Sequence, residues 1–337
     1  MNQYMKFIMA AVLLITAASC KRDEVFEREQ YKNVFAIVSG TDNVYRVVHD
    51  YRFPLSTGYI SASLGGSKVC DQDIKITMVE DDNILLNYNK KLYQDDRDRY
   101  VKALKTNKYS FEKGLSMTIK SGDTKASIPV KVEAAGLSPD SIRYIALRVE
   151  TYNAGELNMK KSTILYQVCV RNWWCDFSGT QFVSRGQRFE GNIDPTSIFT
   201  NKNLYPLSAT KVRVMPGSEL ELDQLKNPRY KAFAMTMNIS DDELPFKIDG
   251  VEKMCSPVTI EPYGTLDIQQ INKGDPDYDA NYPNIAISED YDGFYFYKTF
   301  LLNYRFTDSN GKSARIKEEL RLKYIKDPKD PRFKSSE

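Results

Sequence analysis

The stretch "FLLNYRFTDSNGKSARIKEELRLKYI", close to the C-terminus, constrains the fold most. Asn310-Gly311 is a strong hairpin signal, because both residues tolerate the positive φ of a tight turn. In the returning segment Ala314, Ile316, Leu320, Leu322 and Tyr324 share one parity, while Arg315, Lys317, Glu319, Arg321 and Lys323 share the other. A helix would mix the two sets; a half-buried strand separates them. Glu318 is the single misfit on the apolar side. The pattern predicts a long antiparallel hairpin with one face against a core.

The same texture runs through the chain. "VFAIVSG" and "VYRVVHDYRF" are rich in β-branched and aromatic residues and are separated by a polar break at Thr41 to Asn43. "YISASLGG" and "DIKITMVED" follow. "ILLNYNKKLYQDDRDRYVKAL" spreads charges around Leu85, Leu92, Tyr100 and Leu104 and predicts a short helix. "LSMTIKSGDTKASIPVKVEAAGL" reads as a hairpin turning at Ser121 to Asp123. "RYIALRVETYN" and "TILYQVCVR" complete about seven strands, the count of an Ig-like sandwich. The expected class is all-β: an N-terminal Ig-like β-sandwich, then an antiparallel barrel or a second sandwich. The expected boundaries are 1–20 (signal), 21–30 (tether), 31–171 (sandwich), 172–326 (second β domain) and 327–337 (charged, proline-containing tail).

The N-terminus carries an address. Lys6 precedes an apolar run from Phe7 to about Ser19, shorter than the roughly 20 residues needed to span a bilayer. Ala17, Ala18 and Ser19 then lead into Cys20, and this order of basic start, apolar centre and small residues describes a secretory signal. It resembles the bacterial lipobox, which implies lipidation of Cys20 and a membrane anchor. Lys21, Arg22, Asp23 and Glu24 resemble the surface-export signals of glycan-foraging Bacteroidetes lipoproteins, so the expected location is the outer face of the outer membrane. Cys70, Cys169, Cys175 and Cys255 remain, and an exported compartment permits either disulfides or free thiols.

Several segments resemble domain of unknown function 1735, found in surface lipoproteins of polysaccharide-utilisation loci. They are "LLNYNKKLY" with Tyr88 and Asn89, "YSFEKGLSMTIKSGD" with Tyr109, Ile119 and Gly122, and "YIALRVETYNAG" with "STILYQVCV". The resemblance covers Tyr31 to Arg171. Trp173 and the "ARIKEELRL" strand are similar to lipocalin-like domains that follow this N-terminal family. The resemblance implies a glycan-binding role beside a TonB-dependent transporter and its companion lipoprotein. The alternative it implies is an adhesin or structural surface protein contacting host or matrix protein.

Chemistry is sparse in the sequence. One histidine, His49, leaves no Ser–His or Cys–His arrangement to build. "DYDGFYF" keeps Asp290, Asp292 and Gly293 of a family-18 glycosidase signature but no Glu in register. Asp81-Asp82 and Asp95-Asp96 are adjacent pairs, not carboxyls facing each other across a substrate. Lys+Arg 47 against Asp+Glu 45 leaves no basic stripe for nucleic acid. No enzyme activity, cofactor or metal is expected. Asp275, Asp277, Asp279 and Asn281 alternate, but Ala280 replaces the glycine and Ala286 the glutamate of a calcium loop. The same loop offers flat rings beside short polar groups, which is what a sugar's C–H face and hydroxyls require. The candidate glycan contacts are Tyr278, Asp279, Asn281, Tyr282, Asn284 and Tyr291. Trp174 joins them, since neighbouring Trp173 and Trp174 on a strand point to opposite faces.

Overall fold

The computed structural model describes residues 33–66, 70–191, 193–248 and 250–326. The expected signal segment with Cys20, the tether and the tail from 327 lie outside the described residues. Among those residues, no helix is long and apolar enough to cross a membrane.

The architecture is mostly β. In the first half two curled sheets face each other. One is ordered Glu156–Leu157, Val34–Ile37, Ser56–Gly65, Lys125–Val132, Tyr109–Ser110. The other is ordered Val44–Asp50, Thr163–Arg171, Arg143–Tyr152, Ile74–Glu80, Ser116–Ile119. Alternation supplies the shared core: Ile60, Ala62 and Leu64 from one sheet meet Ile74, Ile76 and Met78 from the other. The predicted helix forms at Asp82–Tyr93, where the Asp81 carboxylate accepts from the Asn83 N–H at 3.0 Å. Asn89 is buried in it and clamps both backbone groups of Val101.

One expectation fails in an instructive way. Ser116–Ile119 and Lys125–Val132 are not a hairpin. The first pairs with Ile74–Glu80 and the second with Ser56–Gly65, so the chain arches from one sheet to the other. Met117 and Ile119 face Ile128, Val130 and Val132 across the core. A hairpin partner and a partner across a sandwich have the same alternating pattern and the same Gly122 turn. Only the second sheet decides between them.

The second half is one large antiparallel sheet whose hydrogen bonding closes on itself. The strands Thr180–Phe189, Thr196–Pro206, Lys211–Val214, Ala234–Ile239, Val251–Tyr263, Ile285–Tyr291, Phe296–Thr307 and Ser313–Tyr324 pair in chain order. The last then pairs with the first, from Val183↔Arg321 to Phe189↔Arg315. Leu244–Ile248 and Ile268–Gln270 branch from the ring. The terminal hairpin is as the alternation predicts, with Ala314, Ile316 and Leu320 buried inside the ring. Closure gives each of those eight strands two neighbours in the ring.

Glu318 explains itself here. Its parity points it into the ring interior, where it is fully buried. Its carboxylate accepts from Ser184 Oγ at 2.8 Å and Tyr304 Oη at 2.6 Å, and it is paired with Lys202 Nζ. Burial pushes the Lys202 pKa down, and the Glu318 charge opposes that shift. Gly186 lies opposite: a Cβ there would sit 2.1 Å from the Lys317 carbonyl oxygen.

The halves join without a spacer. Thr163–Arg171 is a strand of the first half, and Asn172 already belongs to the second, donating to the Ser208 and Lys211 carbonyls. Arg171 and Arg52 share the buried Asp50 carboxylate at 3.1 and 2.9 Å. All four described cysteines are buried free thiols, which settles the pairing question left open by their spacing.

Candidate functional site

The loop from Tyr278 to Tyr295 mixes rings and short polar groups. Its aspartates are engaged along the barrel wall. Asp275 pairs with Arg305, Asp277 with Arg315, and Asp279 with Lys317 at 2.7 Å. Alternation in the loop meets two paired strands: 275 against 305 on Phe296–Thr307, and 277 and 279 against 315 and 317 on Ser313–Tyr324. Lys317 beside it holds the Asp279 carboxyl below the usual carboxylate range. Asn284 is buried with φ +57 and bridges Ile271 and Asn303 backbone groups at 2.8 and 2.7 Å. Asp279 and Asn284 therefore fasten the loop, and their hydrogen-bonding capacity is largely spoken for. Tyr278 is half-buried in this clamped segment.

Trp174 is placed differently from the expectation. It is 5% exposed and packs tilted against Phe300, 4.8 Å between ring centroids, inside the ring. A ring sealed in the core offers no face to a sugar. The Asn172 side chain accepts from the N–H groups of Trp174 and Cys175, and this turn drives the indole inward. Trp173 is half-buried and packs against the same interior cluster, with Lys298 Nζ 4.5 Å from its ring.

Three of the chosen residues do converge. Asn281, Tyr282 and Tyr291 line one hollow of about 260 Å³ on the outer barrel face, with Asp290, Asp292 and Arg321. Its floor is a small apolar cluster that includes Ile285, Ile287 and Leu301, which alternate with the interior residues of their strands. Asp290 receives Lys253 at 2.6 Å and Thr299 at 3.2 Å. The Asp292 carboxyl is held below the usual range by the backbone N–H groups of Tyr295 and Phe294. Tyr291 is 55% exposed, and its ring lies 4.9 Å from that of Phe296. The chain thus places an open aromatic edge next to fixed carboxylates and a guanidinium. The hollow can hold a hydroxyl-rich molecule: carboxylates accept from hydroxyls, N–H groups donate to them, and the ring covers a C–H face.

A second constellation escaped the sequence reading. At the junction of the halves, the Arg213 guanidinium lies 4.6 Å from the Tyr205 ring, 4.1 Å from Tyr230 and 5.4 Å from Tyr263. Its Nη2 pairs with Asp140 of the first half at 3.0 Å, and Tyr263 Oη donates to the same carboxylate at 2.9 Å. These residues are scattered over more than a hundred positions, and "KVRV" is the sole local hint: an arginine in a short β-branched run.

Comparisons with known proteins agree with this two-part plan. One family model, described as an N-terminal domain, matches residues 31–156, and another, described as a C-terminal domain, matches residues 162–321. The boundary between the models falls before Thr163–Arg171, a strand that structurally completes the first half. A Bacteroides ovatus protein of unknown function shares the fold with a TM-score of 0.59 at 14% identity, over 93% of this chain and 98% of that one. A multidomain B. ovatus protein including DUF1735 gives 0.51 at 16%, over 87% and 95%. A structure from Bacteroides thetaiotaomicron described as an auxiliary nutrient binding protein gives 0.53 at 13%, over 85% and 92%. At such identities the likeness is one of fold. No curated protein matches.

Proposed function

We propose that this chain is a non-catalytic surface lipoprotein that binds glycan for a polysaccharide-uptake system. The observation that carries the reading is the hollow beside Tyr291, where an exposed ring stands next to Asp290, Asp292 and Arg321. The shared fold with a nutrient binding protein supports it. In this reading the first half is Ig-like and the closed ring lipocalin-like, with ligand taken on the outer wall. The partners are a glycan and a TonB-dependent transporter with its companion lipoprotein.

Tyr291→Ala is expected to weaken binding of a glycan identified on an array by about 1–2 kcal/mol, the scale of a well-placed interface aromatic. Isothermal titration of wild type and variant checks this, and equal affinities would remove the hollow from consideration. The anchor is tested separately. Cys20→Ala should move the protein from the membrane to the soluble fraction, because lipid chains on Cys20 would supply the membrane affinity. Retention at the wild-type level would place the anchor elsewhere.

A further inference from the structure

We infer that the junction of the two halves is a second ligand site, a pocket for one neutral sugar ring at the end of a glycan chain. For its ligand class this rests on the glycan-binding reading above. Behind the loop that follows Val214 lies a cavity of about 210 Å³, walled by Asp140, Tyr205, Arg213, Glu221, Leu222 and Tyr230. That is smaller than the roughly 300–1,000 Å³ of a site for a drug-sized ligand, and it suits a single ring. It adjoins an open groove of about 740 Å³, with which it shares Asn203, Met215, Glu221 and Leu222. The groove adds Asn201, Asp223 and Gln224, which suit the next units of a chain.

The wall is short of acceptors. The Arg213 side chain is 5% exposed, and its Nε and Nη1 are buried with no hydrogen-bond partner, only the tyrosine faces. These N–H groups are sealed behind the Tyr205 and Tyr230 rings, so Arg213 fixes the wall and the charged acceptor open to a ligand is Glu221. Glu221 accepts from Tyr205 Oη at 3.0 Å through one carboxylate oxygen and has the other with which to accept from a sugar hydroxyl. The Tyr205 and Tyr230 rings supply the apolar faces. Charge selects against an acid. Arg213 is already paired with Asp140, Arg229 with Glu219 at 2.9 Å, and Lys202 with Glu318, which leaves Lys226 against the two carboxylates of Glu221 and Asp223. A uronate would meet more carboxylate than open cation.

The test is saturation-transfer NMR with maltotriose, cellotriose, mannotriose and trigalacturonic acid, followed by titration of any binder. At least one neutral trisaccharide should bind, with the strongest transfer to a terminal ring, and trigalacturonic acid should not. Tyr230→Ala and Glu221→Gln should each weaken binding about tenfold. Leu222→Trp, at a partly exposed position, fills the cavity and should abolish binding even if Tyr230→Ala fails to fold. If Tyr291→Ala alone removes binding, the glycan reading stands and the junction pocket is overturned. If no trisaccharide binds, the junction pocket is overturned, while the glycan reading stands or falls on the array and the Tyr291→Ala titration. Preference for trigalacturonic acid overturns the assignment to neutral sugars.

Discussion

Glu318→Ala is expected to lower the stability of the chain by about 3–5 kcal/mol, the cost of stranding a buried charge. The variant leaves Lys202 in the ring interior without its counter-ion and removes the acceptor of Ser184 and Tyr304. A domain's whole net stability is about 5–15 kcal/mol, so this one carboxylate is a large share. The pair itself need not be a net gain, since taking two charges out of water nearly cancels their attraction. The double variant Lys202→Met with Glu318→Leu should therefore recover most of the loss. Urea unfolding of wild type, the single and the double variant decides the point. A single variant within 1 kcal/mol of wild type would mean that the interior tolerates a free ammonium, for instance by admitting water.

The second large effect is one of pH. His49 is fully buried, with Nε2 2.9 Å from Tyr166 Oη, and Gly58 makes room for that contact: a Cβ there would lie 1.9 Å from the hydroxyl. Burial pushes the imidazole down from 6.5 to about 4, against a smaller pull from the Ser56 backbone. The sign follows from proton uptake. Below pH 6.5 the unfolded chain binds a proton that the folded chain refuses, so stability is lost as pH falls from 6.5 towards about 4. A gap of this size corresponds to about 3 kcal/mol. The chain has a single histidine, so His49→Gln isolates the effect from the carboxylates that titrate nearby. Its stability between pH 7 and 4 should fall less steeply than that of wild type. Parallel curves would show that the folded protein accommodates the imidazolium.

The terminal hairpin was legible in the sequence because two signals agreed there: a turn that wants positive φ, and a parity sustained from Ala314 to Lys323. Even the exception was informative, since a charged residue at an interior position asks for a partner, and Lys202 is that partner. The Ser116–Val132 segment was misread because local pattern cannot tell a neighbour in one sheet from a partner across two. The aspartate loop misled in another way. Asp279 reads as a ligand contact because its cation, Lys317, lies 38 positions away in the sequence, and Asp275 and Asp277 have equally distant partners in Arg305 and Arg315. Trp174 could not be assigned a side before the Asn172 turn was known. The Arg213 cluster had no local signature at all, being assembled by topology from four separate segments.

The closed ring has a property that its strand order conceals. Its ladders are unequal: twelve residue pairs join Phe296–Thr307 to Ser313–Tyr324, but Lys211–Val214 meets Thr196–Pro206 through only two, and Val251–Tyr263 meets Ile285–Tyr291 through only two. The wall is therefore two shells joined along two short ladders, its seams. One shell carries Arg213 and faces the first half of the chain, while the other carries Arg321 beside Tyr291. A molecule gripped by residues of both shells would bolt the seams shut, and one gripped by a single shell would leave them free to gape.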